Sequence, residues 1–98
     1  MLKKNYSKTG SSCRVTFKVP AETEAEKVAV LGEFNEWDAE AHPLKKRKDG
    51  SHSVTISLDA GKEYRFRYLL DGDRWENDET PDRLVPNQYG SRDCLLSL

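Results

Sequence analysis

Apolar residues in this chain recur at every second position, in short runs separated by turn-forming residues. Cys13, Val15, Phe17 and Val19 alternate with Arg14, Thr16 and Lys18. Val54, Ile56 and Leu58 alternate with Ser53, Thr55 and Ser57, and Tyr64, Phe66, Tyr68 and Leu70 have Arg65 and Arg67 between them. A period of two sends one set of side chains to one face of an extended strand and the other set to the opposite face. Pro20, which cannot donate to a ladder, ends the first run. Further strands are expected at about Lys27–Gly32, Leu44–Lys48, Arg74–Glu76 and Cys94–Leu98. Asp49-Gly50, Asp59-Ala60-Gly61 and Asp71-Gly72 are the turns. The segments 33–42 and 77–87 have no period and read as surface loops. Residues 1–12 are polar and read as a flexible N-terminal arm. Ala21–Lys27 has helix-forming composition but is too short to count as a helix. About seven short antiparallel strands in one domain, 13–98, predict an all-β sandwich.

Composition sets the scale of that sandwich. With 98 residues, only one domain fits, and a large-barrel enzyme is excluded. Leu, Ile, Val and Phe together number twenty, so the core is small and a deep enclosed pocket is not expected. Sixteen Lys and Arg against seventeen Asp and Glu leave a net charge of −1, without the basic excess of a general nucleic-acid binder. No apolar run reaches the length of a membrane span, and the polar start does not read as a signal peptide. A cytoplasmic protein without a membrane partner is therefore expected, and in that compartment the Asn5-Tyr6-Ser7 sequon carries no meaning. Cys13 and Cys94 lack metal or redox spacing and occupy inward positions of their alternations, so they read as reduced core thiols.

Catalytic chemistry is poorly supplied. No nucleophile elbow, phosphate loop, zinc spacing or dinucleotide fingerprint is present, and no cofactor or metal is implied. His42 and His52 both read as exposed loop residues. Seventeen acidic residues make some close carboxylate pair inevitable, so proximity alone would not argue for glycoside hydrolysis. The run Lys45-Lys46-Arg47-Lys48 is a candidate phosphate contact, but lysine and arginine on a hairpin also guard an edge strand against pairing with another molecule.

The two tryptophans are more informative. Trp37 lies in Gly32-Glu33-Phe34-Asn35-Glu36-Trp37-Asp38, and Trp75 lies just past the Asp71-Gly72 turn among Arg74, Glu76, Asn77 and Asp78. Tryptophan most often packs into a core. Two of them in polar loops favour a binding surface instead, because a flat aromatic ring matches the C–H face of a pyranose. Arg67, on the outward face of the strand leading to Trp75, offers a forked donor for sugar hydroxyls. Arg65 reads as a cross-strand partner for an acid.

At these positions the chain resembles the family-48 carbohydrate-binding modules, the isoamylase-type early-set domains. The resemblance extends to the glycogen-binding domain of the AMP-activated kinase β subunit. It spans about Cys13–Leu98 and rests on three blocks in order: Val28-Ala29-Val30-Leu31-Gly32-Glu33-Phe34-Asn35-Glu36-Trp37, then Tyr64–Gly72 followed by Trp75, then Asn87-Gln88-Tyr89-Gly90-Ser91. It implies an immunoglobulin-like sandwich that binds α-1,4-glucan without catalysis. It also implies that Trp37 and Trp75 stack on sugar rings. Arg67 matches a family lysine, Tyr89 a leucine that inserts beside the glucan, and Ser91 and Asp93 a threonine and an asparagine that hydrogen-bond it. The expected partner is glycogen, starch or a maltooligosaccharide, together with a glucan-processing enzyme of the glycoside hydrolase family 13 type.

Two rival readings remain. In one the sandwich is an interaction or regulatory module with a vestigial sugar face, docking through Leu69, Leu84, Leu95 and the basic hairpin. In the other it is a glycosidase in its own right.

Overall fold

A β-strand has two edges, and six of the nine strands among the described residues use both. The computed structural model describes residues 2–78 and 80–98. Met1, at the head of the expected arm, and Glu79, inside the expected 77–87 loop, lie outside the described residues. Nine strands form among the described residues: β1 (Leu2–Tyr6), β2 (Ser12–Val19), β3 (Val28–Gly32), β4 (Pro43–Lys46), β5 (His52–Asp59), β6 (Glu63–Leu70), β7 (Arg74–Glu76), β8 (Arg83–Pro86) and β9 (Arg92–Ser97). They pair antiparallel in the order β1-β2-β5-β4-β3-β6-β9-β8, with β7 also on β6. Strand β3 takes one edge of β6. The other edge is shared, β9 pairing with Glu63–Phe66 and β7 with Tyr68–Leu70. The chain is all-β, and no α-helix occurs among the described residues, only 3-10 turns at Ala21–Thr23 and Glu33–Asn35. No helix among them is long and apolar enough to cross a membrane.

The ladder curls through β4 into an early-set sandwich, with β1, β2 and β5 on one side and β3, β6, β9 and β8 on the other. Alternation fills the space between. Cys13, Val15, Phe17 and Val19 of β2 face Phe66, Tyr68 and Leu70 of β6 and Cys94 and Leu96 of β9. Phe17 meets Phe66 edge-on at 5.2 Å between ring centres, a favoured aromatic geometry. Both cysteines are free and fully buried. Burial pushes the Cys94 thiol up to about 11, against the lowering effect of the Asp78 backbone N–H that donates to it. The core also holds a polar pair. Tyr68 donates its hydroxyl to Asp78 Oδ2 at 2.6 Å, and burial first, then the Asp78 charge, holds that hydroxyl protonated far above its ordinary range.

The structure corrects several expectations. Leu2–Tyr6 is a strand and not a loose arm: it pairs with β2 from Leu2 opposite Phe17 to Tyr6 opposite Cys13, and Leu2 packs on the core. Lys4 Nζ reaches Asp82 Oδ2 at 2.6 Å and the Ser97 carbonyl at 3.0 Å, tying this strand to β9. The 77–87 segment contains β8, held by its pairing with β9. With β1 and β8 added, the seven expected strands become nine. His52 is not exposed. It extends the inward phase of Val54, Ile56 and Leu58 by one step and is 1% exposed. His42 is half-buried. Within β4, Pro43 and Leu44 pair with β3, whereas Lys45 and Lys46 pair with β5, so the basic residues lie where the strand leaves β3. Leu95 is buried between β6 and β8 and offers no docking surface, whereas Leu84 is exposed.

Candidate functional site

Two loops, strand β7 and the outer face of β6 enclose one groove of about 790 Å³. It is lined by Trp37, Trp75, Arg67, Tyr89, Ser91 and Asp93, together with Glu33, Arg65, Pro86, Asn87 and Gln88. All six residues singled out from the sequence therefore line the same opening. Trp37 and Trp75 are 37% and 45% exposed, so neither ring is spent on the core.

Trp37 follows the 3-10 turn that leaves β3. Gly32 starts that turn where the chain crosses β6 at close range: a Cβ there would lie 2.5 Å from the Arg65 carbonyl oxygen, so only glycine fits. Glu36 and Trp37 then both adopt left-handed backbone, at φ +56° and +59°, and the Trp37 N–H donates to the Gly32 carbonyl at 3.0 Å. Non-glycine residues in this region cost about 1–2 kcal/mol each, so other contacts must hold the loop. Asn35 supplies them, accepting from Gly32 N–H and donating to the Val30 carbonyl, each at 3.0 Å. Glu33 Oε1 accepts from Arg65 N–H at 2.6 Å and fastens the same turn to β6.

Trp75 sits in β7 opposite Leu69, which makes Arg67 its diagonal neighbour on the outer face. The Arg67 guanidinium lies over the Trp75 ring. Its Nε is buried and finds no protein partner among the described residues. Next along β6, Arg65 donates Nη1 to the Pro86 carbonyl at 3.0 Å and lies 3.6 Å from Asp93 Oδ2, the acid partner its outward position had suggested.

The far wall is the turn from β8 to β9, and Asn87 organises it. Its Oδ1 accepts from the backbone N–H of Tyr89 at 2.9 Å and of Ser91 at 3.1 Å. Its Nδ2 donates to Ser91 Oγ at 3.0 Å and to Asp93 Oδ1 at 3.1 Å. This places Tyr89, 83% exposed, on the rim. Asp93 is the one predicted residue that does not point freely into the groove: it is 7% exposed, and both oxygens face Asn87 or Arg65. Sequence reasoning missed Glu33, Arg65, Pro86, Asn87 and Gln88 as lining residues. Only Asn87 carried a signal, as an Asn two residues before Tyr89-Gly90 in an Asx-turn pattern.

The groove thus presents two aromatic faces, two guanidinium groups balanced by two carboxylates, and hydroxyl and amide groups on its wall. This arrangement suits a neutral, hydroxyl-rich ligand with flat apolar faces. Among the described residues no group of three or more His, Cys, Asp or Glu side chains is placed to hold a metal ion.

Residues 4–89 match the sequence profile of carbohydrate-binding module 48 (isoamylase N-terminal domain). The 1,4-alpha-glucan branching enzyme GlgB of Aquifex aeolicus is 32% identical over 82 residues, which cover 76% of this chain and 13% of that enzyme. The 1,4-alpha-glucan branching enzyme GlgB of Photobacterium profundum is 42% identical over 43 residues, 43% of this chain and 6% of that enzyme. The chain therefore spans only a small part of the length of these relatives. Match and fold agree: the chain belongs to the carbohydrate-binding module 48 family, the isoamylase N-terminal type of domain found in glucan-processing enzymes.

Proposed function

We propose that the groove binds α-1,4-glucan, such as glycogen, starch or a maltooligosaccharide, and does so without catalysis. The observation that carries this reading is the convergence of Trp37, from the turn after β3, and Trp75, from β7, on one open groove. Successive sugar rings stack on the two indoles. Arg67, held over Trp75, donates to sugar hydroxyls, and Ser91 and Tyr89 meet them from the opposite wall. Asp93 serves the sugar indirectly by fixing Asn87 and Arg65. Formal charges in the groove cancel, which suits an uncharged polymer. An open two-ring platform buries little surface, so each contact is weak and affinity grows by multivalency on a branched polymer. The domain accompanies a glucan-processing enzyme, as in the branching-enzyme relatives, and its free Cys13 and Cys94 suit the reducing cytoplasm.

Titration calorimetry tests the sugar class. Maltoheptaose, with α-1,4 links that curve the chain, is expected to bind, and cellohexaose, with straight β-1,4 links, is not. Binding of cellohexaose alone, or of neither sugar, would overturn the reading.

A further inference from the structure

Asn35 makes three side-chain hydrogen bonds, and two of them fix which way its amide points. Gly32 N–H can only donate, so the atom it meets is Oδ1; the Val30 carbonyl can only accept, so the atom it meets is Nδ2. The second hydrogen of Nδ2 then points to His42 Nδ1, 2.9 Å away. An imidazole nitrogen accepts only when it carries no proton, so this bond requires a ring with its proton on Nε2. A backbone bond from Val30 N–H to the His42 carbonyl at 3.2 Å and contact with the Phe34 ring at 6.0 Å hold the imidazole in place.

We infer that His42 is a positioning residue for the sugar groove: as a neutral acceptor it locks Asn35, and through Asn35 the strained turn that presents Trp37. The inference rests on the glucan reading for its effect on binding. A second proton on the ring would set N–H against N–H. Rotating the Asn35 amide does not relieve this, because it would turn Oδ1 onto the Val30 carbonyl and Nδ2 onto Gly32 N–H. The turn must then loosen, and Trp37 with it. Among the described residues no charged side chain bonds to the ring and offsets that cost. The Glu33 carboxylate is turned to Arg65 N–H and Asp38 accepts from Glu40 N–H, while Glu40 is exposed and β3 contributes only apolar side chains and backbone.

The test compares wild type with His42→Asn and His42→Ala at about pH 7.5 and about pH 5, an interval in which histidine is the side chain that usually changes charge. Asparagine keeps an acceptor near the Nδ1 position and does not titrate; alanine removes the acceptor. His52 is common to all three proteins. Maltoheptaose affinity of the wild type is expected to fall about five-fold or more at the lower pH, the size of one lost hydrogen bond. His42→Asn should bind nearly equally at both values, and His42→Ala should be weak at both while folding normally by circular dichroism. In parallel, without sugar, NMR should show the Asn35 side-chain amide and the Trp37 indole N–H shifting together with pH in the wild type and not in His42→Asn. Identical pH behaviour of wild type and His42→Asn, or wild-type binding by His42→Ala, would overturn the inference. If maltoheptaose fails to bind the wild type at either pH, the glucan reading falls and the NMR comparison alone decides the role of His42.

Discussion

The guanidinium carbon of Arg67 stands 5.5 Å from the centre of the Trp75 ring. One face of the indole is thus occupied by a cation, and the two residues act as one unit. Arg67→Ala removes both the cation that steadies the Trp75 ring and a donor facing the groove, and should weaken maltoheptaose binding by roughly two- to five-fold, the size of one lost hydrogen bond. It should also raise quenching of tryptophan fluorescence by acrylamide, a neutral quencher, since the ring loses its cover. Arg67→Lys keeps the charge but not the planar fork, and should fall between the two. Unchanged binding and quenching in Arg67→Ala would contradict the pairing.

The Tyr68–Asp78 bond makes a prediction about stability. Both groups are buried, and Asp78 Oδ1 already accepts from Thr80 N–H at 2.9 Å. Tyr68→Phe removes the buried hydroxyl that donates to Oδ2, and loss of that hydrogen bond to a charged group costs about 1–3 kcal/mol. Urea unfolding at neutral pH measures it. A midpoint equal to wild type would mean that the bond contributes nothing net.

Acid sensitivity should come in part from Asp71, which turns β6 toward β7 with a left-handed φ of +53°. The backbone N–H groups of Lys27 and Glu26 both donate to its Oδ1 at 2.9 Å and hold its carboxyl below the ordinary carboxylate range. The folded state therefore binds this proton less readily than the unfolded chain. The stabilisation is present above the unfolded value of about 3.9 and is lost as pH falls through the lower folded value. Wild-type stability should decline more steeply below about pH 4 than that of Asp71→Asn, whose amide oxygen still accepts but does not titrate. Parallel curves from urea titrations at stepped pH would rule this out.

How far the sequence reached can be judged strand by strand. Strands β2, β5 and β6 were legible because one face of each packs on the core, which imposes the period of two. Strand β1 was not, because Lys3, Lys4 and Asn5 carry no such pattern; it forms because β2 offers a free edge and Leu2 finds the core. Strand β8 is exposed along most of its length, so burial could not mark it, and only its ladder with β9 defines it. The burial of His52 was hidden by the adjacent Asp49-Gly50 turn, although continuing the inward phase by one residue would have found it. In the site, the aromatic and basic residues were readable from their polar surroundings. The supporting bonds of Glu33, Asn35, His42 and Asn87 were not, since each depends on a loop geometry that no local pattern specifies.

In the proposed function Trp37 and Trp75 together form a platform for α-glucan. Native electrophoresis in gels with and without glycogen tests it most directly, with wild type, Trp37→Ala and Trp75→Ala run side by side. Both rings are partly exposed, so the variants should stay folded, which circular dichroism checks. Glycogen should retard the wild type strongly and each variant far less. Wild-type mobility unaffected by glycogen, or variants retarded as much as the wild type, would contradict it.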